Sequence, residues 1–194
     1  MKRFTTSWMR VMLLGLVSLF AFQEAGAATV SYDGINYTTS GTKATVKRYT
    51  FTKGDTTFYK GDIVIPETFE LKGVTYTVVA TAANAFVDCR ELTSLQLPKT
   101  CVTIGRNCFK GCTALKNDPT PATATSLGNG YLQDCSSITE VTIPAGVPGT
   151  FTAQNLAGMT SLKKITFADS ETPFKISVLA FVNKLGEGVK SPIE

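Results

Sequence analysis

The sequence predicts a β-rich solenoid, a short coil of stacked repeats with a parallel sheet, preceded by an N-terminal β-hairpin cap. Three observations carry this: a signature that returns at a constant interval, an alternating aliphatic and polar run after each copy, and a proline that closes several of those runs. The signature is Phe86, Cys89, Leu92, then Phe109, Cys112, Leu115, then Leu132, Cys135, Ile138, all three members shifting by the same step each time. A step longer by a single position brings Leu156, Met159 and Leu162. A period in this range marks repeats that bury their apolar faces only against their neighbours, and such proteins use the surface they display for binding.

The alternating runs are the strands. Leu92-Thr93-Ser94-Leu95-Gln96-Leu97-Pro98 corresponds to Ile138-Thr139-Glu140-Val141-Thr142-Ile143-Pro144 and to Leu162-Lys163-Lys164-Ile165-Thr166-Phe167. Period-2 alternation turns one face inward and leaves the other wet. Proline cannot donate to a ladder and ends the strand. A half-repeat follows at Val102-Thr103-Ile104-Gly105, and Leu127-Gly128 repeats its last pair one period on. The inward ladder is Phe86 and Phe109 with Cys89, Cys112 and Cys135.

Leu95-Gln96-Leu97-Pro98, Ile104-Gly105, Cys108-Phe109 and Gly111-Cys112-Thr113-Ala114-Leu115, with their offsets, resemble the BspA-like class of leucine-rich repeat proteins, found on the surfaces of anaerobic bacteria and some protists. The resemblance runs from Ala82 to Phe167. It implies a right-handed leucine-rich repeat coil with a parallel sheet on one side, and a class that includes adhesins for host proteins or other cells. The chain departs from the pattern at Asn117-Asp118-Pro119-Thr120-Pro121, where an aliphatic strand is expected, and at Tyr131-Leu132, where Ala-Phe is usual. After Phe167 the pattern decays, with Ala180-Phe181 as a last echo. Four or five coils are expected.

The organisation follows. Residues 1–27 read as a cleaved signal peptide: Lys2, Arg3 and Arg10 precede an apolar stretch from Val11 to Phe22, and Ala25-Gly26-Ala27 supplies small residues for cleavage. The stretch is shorter than the ~20 residues that span a bilayer, so no transmembrane span is expected in the mature chain. Residues 28–80 form the cap, 81–183 the repeats and 184–194 a polar tail. In the cap, Asp33-Gly34 between Val30-Ser31-Tyr32 and Ile35-Asn36-Tyr37 is a tight-turn pair, and Lys53-Gly54-Asp55 and Lys60-Gly61-Asp62 are further turns. Ile63-Val64-Ile65-Pro66 reads as the repeat strand that precedes Leu95-Gln96-Leu97-Pro98. Their separation exceeds one period, the surplus being a hairpin around Leu71-Lys72-Gly73-Val74. The cap shields the edge of the first coil.

Composition excludes several functions. Of 19 basic and 15 acidic side chains the leader takes Lys2, Arg3, Arg10 and Glu24, which leaves 16 and 14, and no basic stripe of the kind nucleic acid needs is present. The chain has no histidine, which removes Ser-His-Asp and Cys-His catalysis and any His-ligated metal. Cys108 and Cys112 alone do not make a structural zinc set, so neither metal nor cofactor is expected. For the five cysteines, the odd count and the register favour packing as small hydrophobes, while export favours oxidation. An enzyme would depend on carboxylates such as Asp62, Glu67, Glu70 and Glu140, which read as solvated surface charges.

The expected function is exported or cell-surface recognition or adhesion, binding a protein or glycan through the sheet face at Ser94, Gln96, Asn117, Glu140, Thr142, Lys164 and Thr166. Pro119 falls in the same row, and the cap aromatics Tyr32, Tyr37, Tyr49, Phe58 and Tyr59 are candidate anchors. The alternative is a structural envelope or matrix protein acting by self-association, with a carbohydrate-active enzyme ranked third. After export the chain is periplasmic, at the cell surface or secreted.

Overall fold

The computed structural model describes residues 27–49, 58–147, 150–151, 153–168 and 175–176. The leader, the Lys53-Gly54-Asp55 turn, Ala180-Phe181 and the polar tail lie outside them.

The chain opens with an antiparallel meander of β1 (Ala28–Tyr32), β2 (Ile35–Ser40) and β3 (Lys43–Val46). Asp33 and Gly34 join the first two strands with φ of 47° and 73°, the two left-handed positions that a type I′ hairpin turn requires. β4 (Gly61–Val64) follows, then an antiparallel hairpin of β5 (Thr68–Leu71) and β6 (Val74–Thr81) turning at Lys72-Gly73. That hairpin is the insertion expected between the first repeat strand and the next.

The repeats then add parallel strands on two sides. On one side β4 pairs with β7 (Leu92–Gln96), and β10 (Glu140–Ile143) pairs with β12 (Lys164–Phe167). On the other, β6 pairs with β8 (Thr103–Ile104), which pairs with β9 (Ser126–Leu127). β11 (Thr150–Phe151) pairs with β13 (Lys175–Ile176), and a short 3-10 turn covers Ala153–Asn155.

The N-terminal strands and the repeats share one sheet. β3 pairs in parallel with the same β6 that begins the repeat ladder, so β1, β2, β3, β6, β8 and β9, with β5 alongside β6, form one seven-stranded sheet. The long strand β6 is the reason: its first half, from Val74 to Thr77, pairs with β5, its second half, from Thr77 to Thr81, pairs with β3, and Ala80 near its end also pairs with Thr103 of the next repeat. Tyr59 fastens the same joint. Its ring centroid lies 5.1 Å from that of Phe86, while its hydroxyl accepts from Asn36 N and donates to Lys47 O, both at 3.0 Å. Burial pushes the Tyr59 hydroxyl up to about 12.

Between the two sides runs the ladder. Phe86, Phe109, Leu132, Cys89, Cys112 and Cys135 are buried, with the Phe86 and Phe109 rings stacked at 5.7 Å. All five cysteines are free thiols and all are buried. The bends around them bond from repeat to repeat: Asn84, Phe86 and Asp88 donate to Arg106, Cys108 and Lys110, and Asn107, Phe109 and Gly111 donate to Asn129, Tyr131 and Gln133, at 2.7–3.0 Å. Each bend uses left-handed residues at Asn84, Asn107 and Gly130, and again at Asp88, Gly111, Asp134 and Gly158. In the second set Asp and Gly alternate for a steric reason. A Cβ on Gly111 would stand 2.5 Å from Asp88 Oδ1, so the carboxylate of one repeat occupies the space left by the glycine of the next. Gly105 answers a different demand, since its Cβ would fall 2.3 Å from the Ala82 backbone.

Candidate functional site

The sheet side that carries β4, β7, β10 and β12 presents the row singled out from the alternation. Leu95 and Val141 point into the core, while Gln96, Glu140, Thr142, Lys164 and Thr166 are exposed and Ser94 is half-buried. Register aligns Asp62 with Ser94, Val64 with Gln96, Glu140 with Lys164 and Thr142 with Thr166. Val64, 66% exposed, is the apolar member of this row. Thr93 Oγ1 donates to Asp62 Oδ1 at 2.6 Å, and Lys164 Nζ lies 3.8 Å from Glu140 Oε2. The latter pair is well exposed and contributes at most about 1 kcal/mol, leaving both charges open to a ligand.

Asn117 and Pro119 do not stand in that row as expected. No strand forms across 117–121, and side chains bridge the gap. Asn117 Nδ2 donates to Leu95 O at 2.7 Å while its Oδ1 accepts from Leu95 N at 3.2 Å, the pair of bonds a neighbouring strand would make. On the far side Asp118 Oδ2 accepts from Thr142 N at 2.9 Å, and Oδ1 accepts from Thr120 N at 3.0 Å. Asn117 is thus committed to the scaffold, and Pro119 is buried. The reason is proline: with Pro119 and Pro121 in the segment, two of the ladder donors are missing, and amide and carboxylate groups substitute for them.

The same substitution changes the interior. Asp118 and Thr120 take the places of Leu95 and Leu97, and Tyr131, fully buried, fills the space where Ala85 and Cys108 stand in earlier repeats. Its hydroxyl lies close to Thr120 Oγ1 without an aligned hydrogen bond. Burial raises the Asp118 carboxyl above its ordinary value, opposed by its bonds from Thr120 and Thr142. It also raises Tyr131, helped by the Asp118 charge.

The candidate anchors in the cap divide. Tyr37 and Tyr59 are core residues, Tyr49 and Phe58 are half-buried, and Tyr32 is exposed with its ring stacked 4.9 Å from Phe69. A cleft of about 340 Å³ beside β4 is bordered by Tyr49, Phe58, Tyr59, Ile63 and Val64, with Lys60 and Asp62 as its charged members beside Asp33. The carboxylates Asp62, Glu67, Glu70 and Glu140 stand on separate strands or turns; Glu67 faces Lys99 at 3.7 Å. Among the described residues no cluster of acidic or cysteine side chains is arranged to hold a metal ion.

Comparison with known proteins now adds to this geometry. Residues 77–187 match the BspA type leucine-rich repeat region in six copies. The chain belongs to this family. The match counts six copies, where the sequence reading expected four or five coils. A leucine-rich repeat protein from Bacteroides capillosus has a similar structure, with a TM-score of 0.58 and 20% identity over 73% of this chain and 99% of that one. A leucine-rich cell surface protein from Faecalibacterium prausnitzii is similar at a TM-score of 0.59 and 24% identity, over 80% of this chain. Against that protein the chain spans just under half, 46% of its length. At these identities the likeness shows the fold. No curated protein matches.

Among the described residues of this BspA type chain, no helix is long and apolar enough to cross a membrane. The signals in the sequence that identify Asn117 and Asp118 as scaffold are the two prolines that follow them, Pro119 and Pro121; the cross-strand bonds themselves join residues 22 and 24 positions apart and are legible only in three dimensions.

Proposed function

We propose that the chain is an exported or cell-surface recognition module that binds a protein or glycan through the outer face of its repeat strands. The repeats wind as a right-handed solenoid, and the segment 28–80 closes the apolar edge of its first turn. The observation that carries the reading is the exposure of Asp62, Val64 and Gln96 on one in-register strand pair, and of Glu140, Thr142, Lys164 and Thr166 on a second, over a core that is continuous beneath them. Strands spaced ~4.8 Å apart align these groups into a small polar face of fixed spacing. A rigid face loses little side-chain freedom on binding, which favours recognition by geometry. Asn117 is excluded from this face and supports it from within.

No catalytic step is assigned. Export through residues 1–27 brings the face to ligands outside the cell, and a likeness to a protein described as a cell surface protein supports that placement. The test is capture of extracellular matrix proteins and glycans by the chain beginning at Ala28, beside a variant with Gln96, Glu140 and Lys164 all changed to Ala. Capture by the parent and loss of about tenfold or more in the variant is expected, since several central contacts would go at once. Undiminished capture by a folded variant removes the face from the account. Concentration-dependent oligomers with no foreign ligand would favour self-association as a structural protein.

A further inference from the structure

The ladder that Asn117 prolongs on one side of β7 ends on the other side at β4. Gly61 N donates to Glu91 O at 2.8 Å and Ile65 N donates to Gln96 O at 2.9 Å, so Gly61, Ile63 and Ile65 turn their backbone groups toward β7. Alternation along a strand then turns the amides and carbonyls of Asp62 and Val64 to the opposite edge. Leu95 stands in the equivalent position on β7, and there Asn117 takes up both its amide and its carbonyl. At β4 no strand among the described residues does the same. A row of unpaired N–H and C=O groups is a template for one more strand.

The cleft beside β4 lies along this edge, with Asp62 and Val64 on its border. Opposite them the rings of Tyr49 and Tyr59 meet edge to face, 5.8 Å apart at 87°, and make an aromatic corner with Phe58 nearby. At about 340 Å³ the cleft is near the lower end of the ~300–1,000 Å³ of small-ligand sites, which suits one large side chain and not a folded element. Its charged members are two carboxylates, Asp33 and Asp62, against one ammonium, Lys60, all exposed, so the rim is negative in balance.

We propose that the β4 edge takes an extended peptide segment of a protein partner, which adds as an outer strand on the backbone of Asp62 and Val64. Main-chain bonds hold the segment, and the period-2 alternation of its side chains directs one large apolar residue into the aromatic corner. A basic residue beside that one meets Asp33 and Asp62. The site is the edge of a strand, distinct from the outer face of the repeats, and stands whether or not that face binds. It adds affinity through groups that carry no sequence information and selects through a single pocket.

The test uses a random library of linear seven-residue peptides, selected on the chain beginning at Ala28 and then synthesised singly. Enriched peptides should share a large apolar residue next to a Lys or Arg, and on binding should slow hydrogen exchange at the amide of Val64. N-methylation of alternate peptide amides gives the decisive comparison. One alternate set should weaken binding about tenfold or more, since those amides face β4, and the intervening set should leave it within about threefold. On the protein, Val64→Pro should weaken binding about tenfold or more, because proline removes an amide that makes no bond within the ladder and is tolerated at such an edge; Val64→Ile, which keeps that amide, should retain binding. The N-methyl comparison uses the parent chain, so it decides even if Val64→Pro does not fold. No enriched peptide, equal effects of the two N-methyl sets, or full binding by folded Val64→Pro overturns the proposal. So does protection of the Val64 amide by a second copy of the chain, seen as concentration-dependent mass without peptide, or capture of glycans alone in the cleft.

Discussion

Replacing Asn117 by alanine tests whether one amide can stand in for a strand. Two bonds are lost, from Asn117 Nδ2 to Leu95 O at 2.7 Å and from Leu95 N to Asn117 Oδ1 at 3.2 Å, and Leu95 is fully buried. A buried backbone group deprived of its partner costs about 1–3 kcal/mol. Asn117 is half-buried, so water entering the vacated space recovers part of this, and about 2–3 kcal/mol for the pair is expected. For a chain of this size each kcal/mol moves the midpoint by about 2–4 °C, giving a fall of about 4–12 °C. Thermal and urea unfolding followed by circular dichroism reads it, with Gln96→Ala as the control, since that side chain is exposed and its removal should stay within about 0.5 kcal/mol. If Asn117→Ala melts within about 2 °C of the parent, the splice is incidental, and the continuity of the face would have to come from packing alone.

Other consequences follow from the same contacts. Gly111→Ala should cost at least about 1 kcal/mol because of its φ of +76° and the Asp88 carboxylate 2.5 Å from the new methyl; adding Asp88→Ala should restore the steric part only, a coupling that a double-mutant cycle measures. Phe109→Ala, which empties the place beside Phe86, should cost about 3–5 kcal/mol in denaturant unfolding. Tyr59→Phe should lose about 1–3 kcal/mol and speed amide exchange at Asn36, because its hydroxyl joins β2 and the residue after β3. Asp118 has a carboxyl raised in the folded state, so its contribution to stability is fully present below the ordinary value of 3.8 and declines as pH rises through the folded value. Asp118→Asn should therefore gain on the parent as pH is raised from about 3 to about 8, and a difference in stability that stays flat over that range would contradict the assignment.

The sequence by itself determined whatever recurs. Residues that meet the same neighbours in every repeat must be alike, so the positions of Phe86, Phe109, Cys89, Cys112 and Cys135 carry the stacking in their spacing, and period-2 alternation places Gln96, Glu140 and Lys164 outward. The Asp33-Gly34 turn and the hairpin inserted after β4 were legible for the related reason that local backbone chemistry dictates them. What tertiary structure decided is where the pattern breaks. A broken repeat has no local signal for its repair: Asn117 and Asp118 are defined by bonds to Leu95 and Thr142, and Tyr131 is buried because the aliphatics expected at 118 and 120 are absent. The joining of the N-terminal strands to the repeat ladder through β6 likewise depends on pairing between segments far apart in the chain. Local periodicity constrains each residue against its own repeat. Only the assembled structure brings together groups from different repeats, and there an amide or a carboxylate acquires its partner.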